Sequence, residues 1–349
     1  MDRNRFVLSS SIMAVMNVKR RIMFSIVNKV AIPRITSLIE MEKAMAQQPN
    51  VILPLDTSPN RFDIPLEMIK RVKSSSELPV RSLPPMRILP SLMRNMKRAI
   101  TSIQQNPQTP RTATSPEFIH ELEEYARSLG ISLIGYTKLH PQLIFRNKGI
   151  IHDNAIVLAM EMDWEKIEAS PSRPTQVMIM ETYDSLGIAA NKIARFLRNR
   201  GFSAMAGHPL GGQALYPPLA QDAGMGWIGR SGLLITKEYG PRVRLASVFS
   251  SIENLPYAAE NAHTWVREYC DSCGACIRRC PPKAILEEPI SHESGRVTHI
   301  DLELCFPYFV EYYGCSICIR VCPFNRRGYD DIKNEFQQRE VRRTVSDGN

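Results

Sequence analysis

The chain has 349 residues, 44% of them hydrophobic and 23% charged, which fits a folded protein long enough for two domains and excludes a disordered or fibrous chain. No stretch approaches the roughly 18 uninterrupted apolar residues of a membrane helix. All eight cysteines fall between Cys270 and Cys322, which argues against a disulfide framework.

The net charge of +9 is uneven: residues 1–113 hold 18 Lys/Arg against 7 Asp/Glu, and the remainder 26 against 28. A basic segment on a near-neutral body suits an acidic protein partner, a peripheral contact with an anionic membrane, or a plain solvated face. No nucleic-acid-binding motif is recognisable.

Residues 1–50 carry apolar side chains at three- and four-residue spacing and no glycine, a helical pattern. Lys19-Arg20-Arg21 has the charge of a twin-arginine signal. However, the apolar run after it is broken by Asn28 and Lys29, and no small-residue cleavage site follows. The expectation is a basic amphipathic helix in a cytoplasmic protein. From residue 54 to 110 Pro and Ser are frequent, and Pro79, Pro84, Pro85 and Pro90 bar a long helix. A short helix fits over 91–103, and 104–114 reads as a linker. Residues 1–110 are therefore expected to form a basic, helical and Pro-rich arm.

A compact pattern starts at Thr114, which with Glu117 has capping-box spacing, and Pro116 suits a first helical turn. Phe118, Leu122, Tyr125 and Leu129 mark one face and Gly130 a stop. Strands are expected over 131–136, 155–160 and 202–206. Between the last two, a helix over 176–200 aligns Ile179, Tyr183, Leu186, Ala190, Ile193 and Leu197. This alternation predicts an α+β body with α/β-like layers over residues 111–262.

Gly224, Gly226 and Gly229 satisfy G-x-G-x-x-G, but Tyr216-Pro217-Pro218 before them reads as a helix start and 233–236 after them as a strand. A dinucleotide site lacks its context here. The glycines are read instead as letting backbone approach a flat ligand. A strand over 243–249 follows, with Arg242 and Arg244 on one side of Val243.

The cysteines carry the strongest signal. Cys270, Cys273, Cys276 and Cys280 before Pro281 form C-x₂-C-x₂-C-x₃-C-P, and Cys305, Cys315, Cys318 and Cys322 before Pro323 form the second group. Two cubane clusters need eight thiolates, and in the bacterial two-cluster run the fourth Cys of each motif serves the other cluster. Cys270, Cys273 and Cys276 are thus expected with Cys322, and Cys305, Cys315 and Cys318 with Cys280. Structural zinc would bring ligands in fours, not an interleaved eight. Residues 263–328 are expected to be a two-[4Fe–4S] bacterial ferredoxin-like domain, followed by a polar tail over 329–349.

Pro217-Pro218-Leu219-Ala220, then the run from Ala223 through Gly224, Met225, Gly226, Trp227, Ile228, Gly229, Arg230, Ser231 and Gly232, then Glu238-Tyr239-Gly240-Pro241-Arg242-Val243-Arg244-Leu245, all precede the double cysteine motif. In this order the sequence resembles the cobalamin-dependent reductive dehalogenases. Epoxyqueuosine reductases share a similar body, with a base-off cobalamin and two [4Fe–4S] clusters. The resemblance covers about residues 115–328 and tilts toward the dehalogenases. Where epoxyqueuosine reductases have Asp-Tyr-His early in the long helix, this sequence has Thr182-Tyr183-Asp184. That removes the Asp proton donor and keeps the Tyr.

The resemblance implies a cobalamin-binding body of nitroreductase-like type and reductive removal of halogen from a small organohalide through Co(I). It implies Tyr183 as proton donor, with Arg242 or Arg244 as the cation that eases its ionisation or holds an anionic substrate group. It also implies His208 on the upper corrin face and Gly224, Gly226, Trp227 and Gly229 around the corrin cavity. Each has an ordinary alternative: Tyr183 or Trp227 as core, the arginines as a surface pair, His208 as a solvated turn residue. A low-potential ferredoxin or flavodoxin would supply electrons. Two other functions stay open, an epoxyqueuosine reductase-like enzyme acting on tRNA and a two-cluster electron carrier without a corrin.

Overall fold

The computed structural model describes residues 32–59 and 85–347. The basic helix expected near residue 20 lies outside them. Helix α1 (Ile32–Ala46) and helix α2 (Leu89–Thr101) come from the basic segment, and both pack against the body. Leu38, Met45 and Ile100 are buried among its apolar side chains. Glu42 of α1 pairs with Lys148, both side chains 6% exposed. Desolvating two charges offsets much of their attraction, so this pair fixes where α1 sits more than it adds stability.

Helix α3 (Pro116–Ser128) is capped by Ser115, whose hydroxyl accepts from the Phe118 amide at 3.4 Å. The expected cap, Thr114, lies one residue outside. Pro116 takes the first helical position, where it loses no hydrogen bond, and this moves the cap to Ser115.

Strands β1 (Leu133–Lys138) and β2 (Asn154–Glu161) follow, then the short helix α4 (Trp164–Glu168) and the long helix α5 (Arg173–Asn199). Strand β3 (Ala204–Gly207), helix α6 (Tyr216–Asp222), the hairpin of β4 (Trp227–Ile228) and β5 (Leu234–Ile235), and strand β6 (Val243–Ser250) complete the body. The main sheet runs β1-β2-β6-β3, antiparallel throughout, with Ile156 opposite Val248 and Met160 opposite Arg244. Seven successive residues of β2 are buried, as a strand covered on both faces requires.

Alternation along the strands divides the core. Ile156, Leu158, Ala246 and Val248 meet Leu186, Ala190, Ile193 and Leu197 of α5, while Ala155, Val157 and Phe249 meet Leu219 and Ala220 of α6. The body is therefore a sheet between two helical layers, the α+β arrangement expected.

The second lobe holds α7 (Trp265–Cys273), α8 (Ala275–Arg279), the ribbon of β7 (Ile285–Ser291) and β8 (Val297–Ile300), α9 (Leu302–Glu311) and α10 (Ile317–Arg320). The segment expected as a polar tail is instead a helix, α11 (Tyr329–Asp347). Tyr329, Ile332 and Phe336 line one face of it and are buried, so a polar average hid an amphipathic helix. Among the described residues no helix is long and apolar enough to cross a membrane.

Gly187 allows a close contact within α5. A methyl group there would overlap the imidazole of His208, which is only 2% exposed. Gly→Ala inside a helix ordinarily stabilises by about 1 kcal/mol. Gly187→Ala should instead lower the melting temperature, and in a His208→Ala background the same change should become neutral or stabilising, as a thermal double-mutant cycle will show.

Candidate metal centre and active site

None of the eight thiols is in a disulfide; Cys280 is buried and the others are partly buried. The chain bends sharply around them. Gly274 is left-handed between Cys273 and Cys276, and Tyr313, Gly314, Cys315 and Ser316 are four residues in a row at positive φ ahead of Cys318.

Two electrostatic groups emerge. Burial pushes the Cys270 thiol up to about 12, with Cys276 and Cys273 adding to it. Cys322 is raised as well, first by burial and then by Cys270. Burial likewise raises Cys305 to about 11, helped by Cys280 and Cys315. Cys318 is raised by burial, then by Cys315 and Cys305. Thiolates crowded in this way oppose one another's ionisation, and a bound cationic centre removes the conflict.

Backbone N–H groups also face the sulfurs: Ala284 donates to Cys280 Sγ at 3.3 Å, and the amides of Arg230, Phe324 and Ile317 support Cys270, Cys322 and Cys315. The donor chemistry fits two cubane clusters, with Cys322 beside the first three cysteines and Cys280 beside the later ones.

The β4–β5 hairpin carries the glycine-rich sequence against this lobe. A methyl group on Gly226 would overlap the Ile235 carbonyl, and one on Gly229 would lie 3.2 Å from Cys270 Sγ. At these two positions the close approach is made by the chain's own atoms, where a flat ligand was expected. Gly224 is left-handed and packs beside Ala258. Trp227 of β4 packs with Ile235, Val266 and Phe324 beside Cys270 and Cys322. The hairpin thus joins body and metal lobe.

Tyr183 of α5 is half-buried and packs against a buried cluster of Met162, Ile167, Met178, Ile179 and Ile319, against which Leu233 and Cys318 also pack, so this cluster gathers α5, the hairpin and the cysteine lobe. The Arg244 guanidinium lies over its ring, 4.8 Å from the centroid. Such a contact is worth about 0.5–2 kcal/mol and places a fixed positive charge beside the phenol. Arg242 does not share it. It precedes β6 and is held by Glu161 at 2.6 Å and the Met162 carbonyl at 3.1 Å. His208 is buried, its Nδ1 against the Leu210 backbone, and it packs on α5 at Gly187. It is not the solvated turn residue of the ordinary reading. Among the described residues the Nε groups of Arg230, Arg242 and Arg244, like that of Arg296, are buried without a hydrogen-bond partner.

Sequence reasoning missed two features here. Trp265, Tyr269, Phe324, Tyr329 and Phe336 form an aromatic cluster, with Trp265–Tyr329 centroids at 5.0 Å and Tyr269–Phe324 at 5.1 Å. His263 and Trp265 both bond the Tyr329 hydroxyl, at 2.6 and 2.9 Å. The cluster packs beside Cys270 and Cys322, limiting solvent on that side, one of the factors that set a cluster's potential. The apolar spacing of Tyr329, Ile332 and Phe336 was the available signal. The second is the ion pair of Arg230 with Asp271 (3.1 Å), next to Cys270.

The class defined so far is an iron–sulfur lobe fastened to an α+β body. Residues 269–326 match the family described as 4Fe-4S dicluster domain. The homologues of the chain are reductive dehalogenases and epoxyqueuosine reductases, both oxidoreductases. A tetrachloroethene reductive dehalogenase of Desulfitobacterium hafniense is 33% identical over 212 residues, covering 56% of this chain and 37% of that protein. An epoxyqueuosine reductase of Francisella cf. novicida is 30% identical over 131 residues, 35% of each chain.

The fold is that of a catabolic reductive dehalogenase solved with 3-bromo-4-hydroxybenzoic acid: TM-score 0.63 at 18% identity, over 82% of this chain and 45% of that one. A reductive dehalogenase described in connection with B12-dependent dehalogenation matches with TM-score 0.64 at 18% identity, over 87% of this chain and 48% of that one. The chain thus spans less than half the length of these dehalogenases.

The two thiol groups predict the outcome of single substitutions. Cys322→Ala should perturb the cluster held by Cys270, Cys273 and Cys276, and Cys280→Ala the one held by Cys305, Cys315 and Cys318. In each case iron should fall from about eight toward about four per chain, with the other cluster's electron paramagnetic resonance signal retained. Each substitution abolishing the cluster of its own sequence motif would contradict the crossed assignment.

Proposed function

We propose that this chain is a corrinoid- and [4Fe–4S]-dependent reductase that removes halogen from a small organohalide. The observation that carries this reading is the Arg244–Tyr183 stack, set in an apolar cluster that also contains Cys318. A phenol, a fixed cation and a cluster-side cysteine meet where body, hairpin and metal lobe join. Of the four buried arginine Nε donors without a partner among the described residues, those of Arg230, Arg242 and Arg244 fit a corrinoid, whose rim of carboxamide oxygens can accept from them. When bound, the corrinoid would supply a low-potential, nucleophilic metal centre for carbon–halogen cleavage.

The residues do the rest. Tyr183 donates a proton from its hydroxyl to the substrate carbon that loses halide. Arg244 stabilises the phenolate left behind, and its charge attracts an anionic substrate or departing halide. Met162, Met178, Ile179 and Leu233 keep water from that proton. Arg242, tied to Glu161, holds the start of β6 and so positions Arg244. Electrons come from a low-potential donor in a reducing, cytoplasmic setting.

The homologous epoxyqueuosine reductases keep a tRNA substrate in view, but Thr182 does not supply the acid of that reading. It is 8% exposed and donates its hydroxyl to the Met178 carbonyl at 2.9 Å, inside its own helix.

Tyr183→Phe keeps the ring under Arg244 and removes only the proton. Turnover of an organohalide panel should fall by about 100-fold or more while iron content and cluster spectra stay unchanged. Undiminished turnover would remove Tyr183 as the donor. Reduction of an epoxyqueuosine-containing tRNA, with no organohalide consumed, would move the protein to the other reading.

A further inference from the structure

The metal lobe bears a cleft of about 680 Å³, lined by Glu168, Ala275, Arg278, Arg279, Ile317, Arg320, Val321 and Arg326. Its charge is one-sided: four arginines face one carboxylate. Glu168 is already engaged by Arg326, at 2.7 Å, and by Asn325. Arg320 is turned toward the Ser170 carbonyl. Among the described residues neither Arg278 nor Arg279 has a carboxylate partner, and both are exposed.

The position of the cleft matters as much as its charge. Ala275 adjoins Cys276, Arg279 adjoins Cys280, Ile317 adjoins Cys318 and Val321 adjoins Cys322, so its walls are the segments that hold both thiol groups. Like charges held together on a surface raise its energy unless an anionic partner is met there. Guanidinium groups, weakly hydrated and forked, suit carboxylates at an interface.

We propose that this arginine-lined cleft is where an acidic one-electron carrier protein docks to reduce the clusters. This rests on the proposed function only in that the clusters are refilled from outside. The carrier gives up one electron and one [4Fe–4S] centre accepts it, with no bond made or broken. Redox encounters use small interfaces, below about 1,200 Å² in total, and rely on charge for speed. A basic cleft beside the clusters provides that where a large apolar face would bind too long. The carrier side is a cluster of Asp and Glu around its own redox centre.

The test uses the full chain loaded with both clusters and a reduced, acidic ferredoxin or flavodoxin, mixed anaerobically without substrate, so its result is independent of the reaction the enzyme performs. Arg278→Glu with Arg279→Glu should slow second-order cluster reduction about tenfold or more, flatten its dependence on ionic strength, and weaken binding of the oxidised carrier in parallel. The milder Arg278→Gln with Arg279→Gln should act in the same direction. Iron content and visible spectra confirm that clusters are intact. Arg94→Glu with Lys97→Glu on α2 makes the same net charge change away from the cleft and should leave the rate within about twofold, since distant exposed charges are screened.

An equal loss in the α2 pair, or no loss in the cleft pairs, would overturn the proposal. So would inorganic phosphate occupying the cleft, read by chemical-shift or thermal perturbation at Arg278 and Arg279, while the carrier's rate stays unchanged.

Discussion

The crowding of eight cysteine thiols is the constraint around which the second lobe is arranged. Its interior around Cys280 has only Ala284 and Ile285 as fully buried companions, with Ile277 and Ile300 partly so. On this side the apolar surface is small and metal is the natural source of stability, while the aromatic cluster of Trp265, Tyr269, Phe324, Tyr329 and Phe336 packs the side of Cys270 and Cys322. The thiols show the same dependence in electrostatic form. Burial and mutual proximity raise Cys270, Cys318 and Cys322 together, an arrangement that favours a cationic cluster over free thiolates.

The body has the opposite economy. Its sheet is buried on both faces between two helical layers. The join between the two is made tight by small residues: the Cys270 sulfur rests on Gly229, and the Phe324 carbonyl packs on Gly240. Tyr183 and Arg244 sit at this join, one on a helix that packs across the sheet and one on its third strand. Both are held by regular elements, and the proton-donor role proposed for Tyr183 would tolerate little looseness.

Much of this was legible in sequence because it is local. The cysteine spacing named the clusters, the apolar runs named the strands, and the periodicity through Leu186, Ala190, Ile193 and Leu197 named the long helix. What was hidden needs partners far apart in the chain. Arg242 and Arg244 look equivalent in a strand, yet Glu161 from β2 engages the first and only the second lies over Tyr183. The arginine cleft joins α8 to α10, and its charge is invisible in a segment whose overall balance is unremarkable. The carboxy-terminal helix was obscured by its polar face, though three aromatic and aliphatic positions marked the other. Ser115 displaced Thr114 as a cap because a neighbouring proline decided the register.

The central claim is that the two clusters serve a corrinoid held at the join. The direct measurement is cofactor uptake: the chain is reconstituted anaerobically with iron, sulfide and hydroxocobalamin, desalted, and analysed for metals and visible absorption. The account predicts corrin bands with about one cobalt beside about eight iron per chain. Full iron loading with no cobalt retained would contradict it and leave a two-cluster electron carrier.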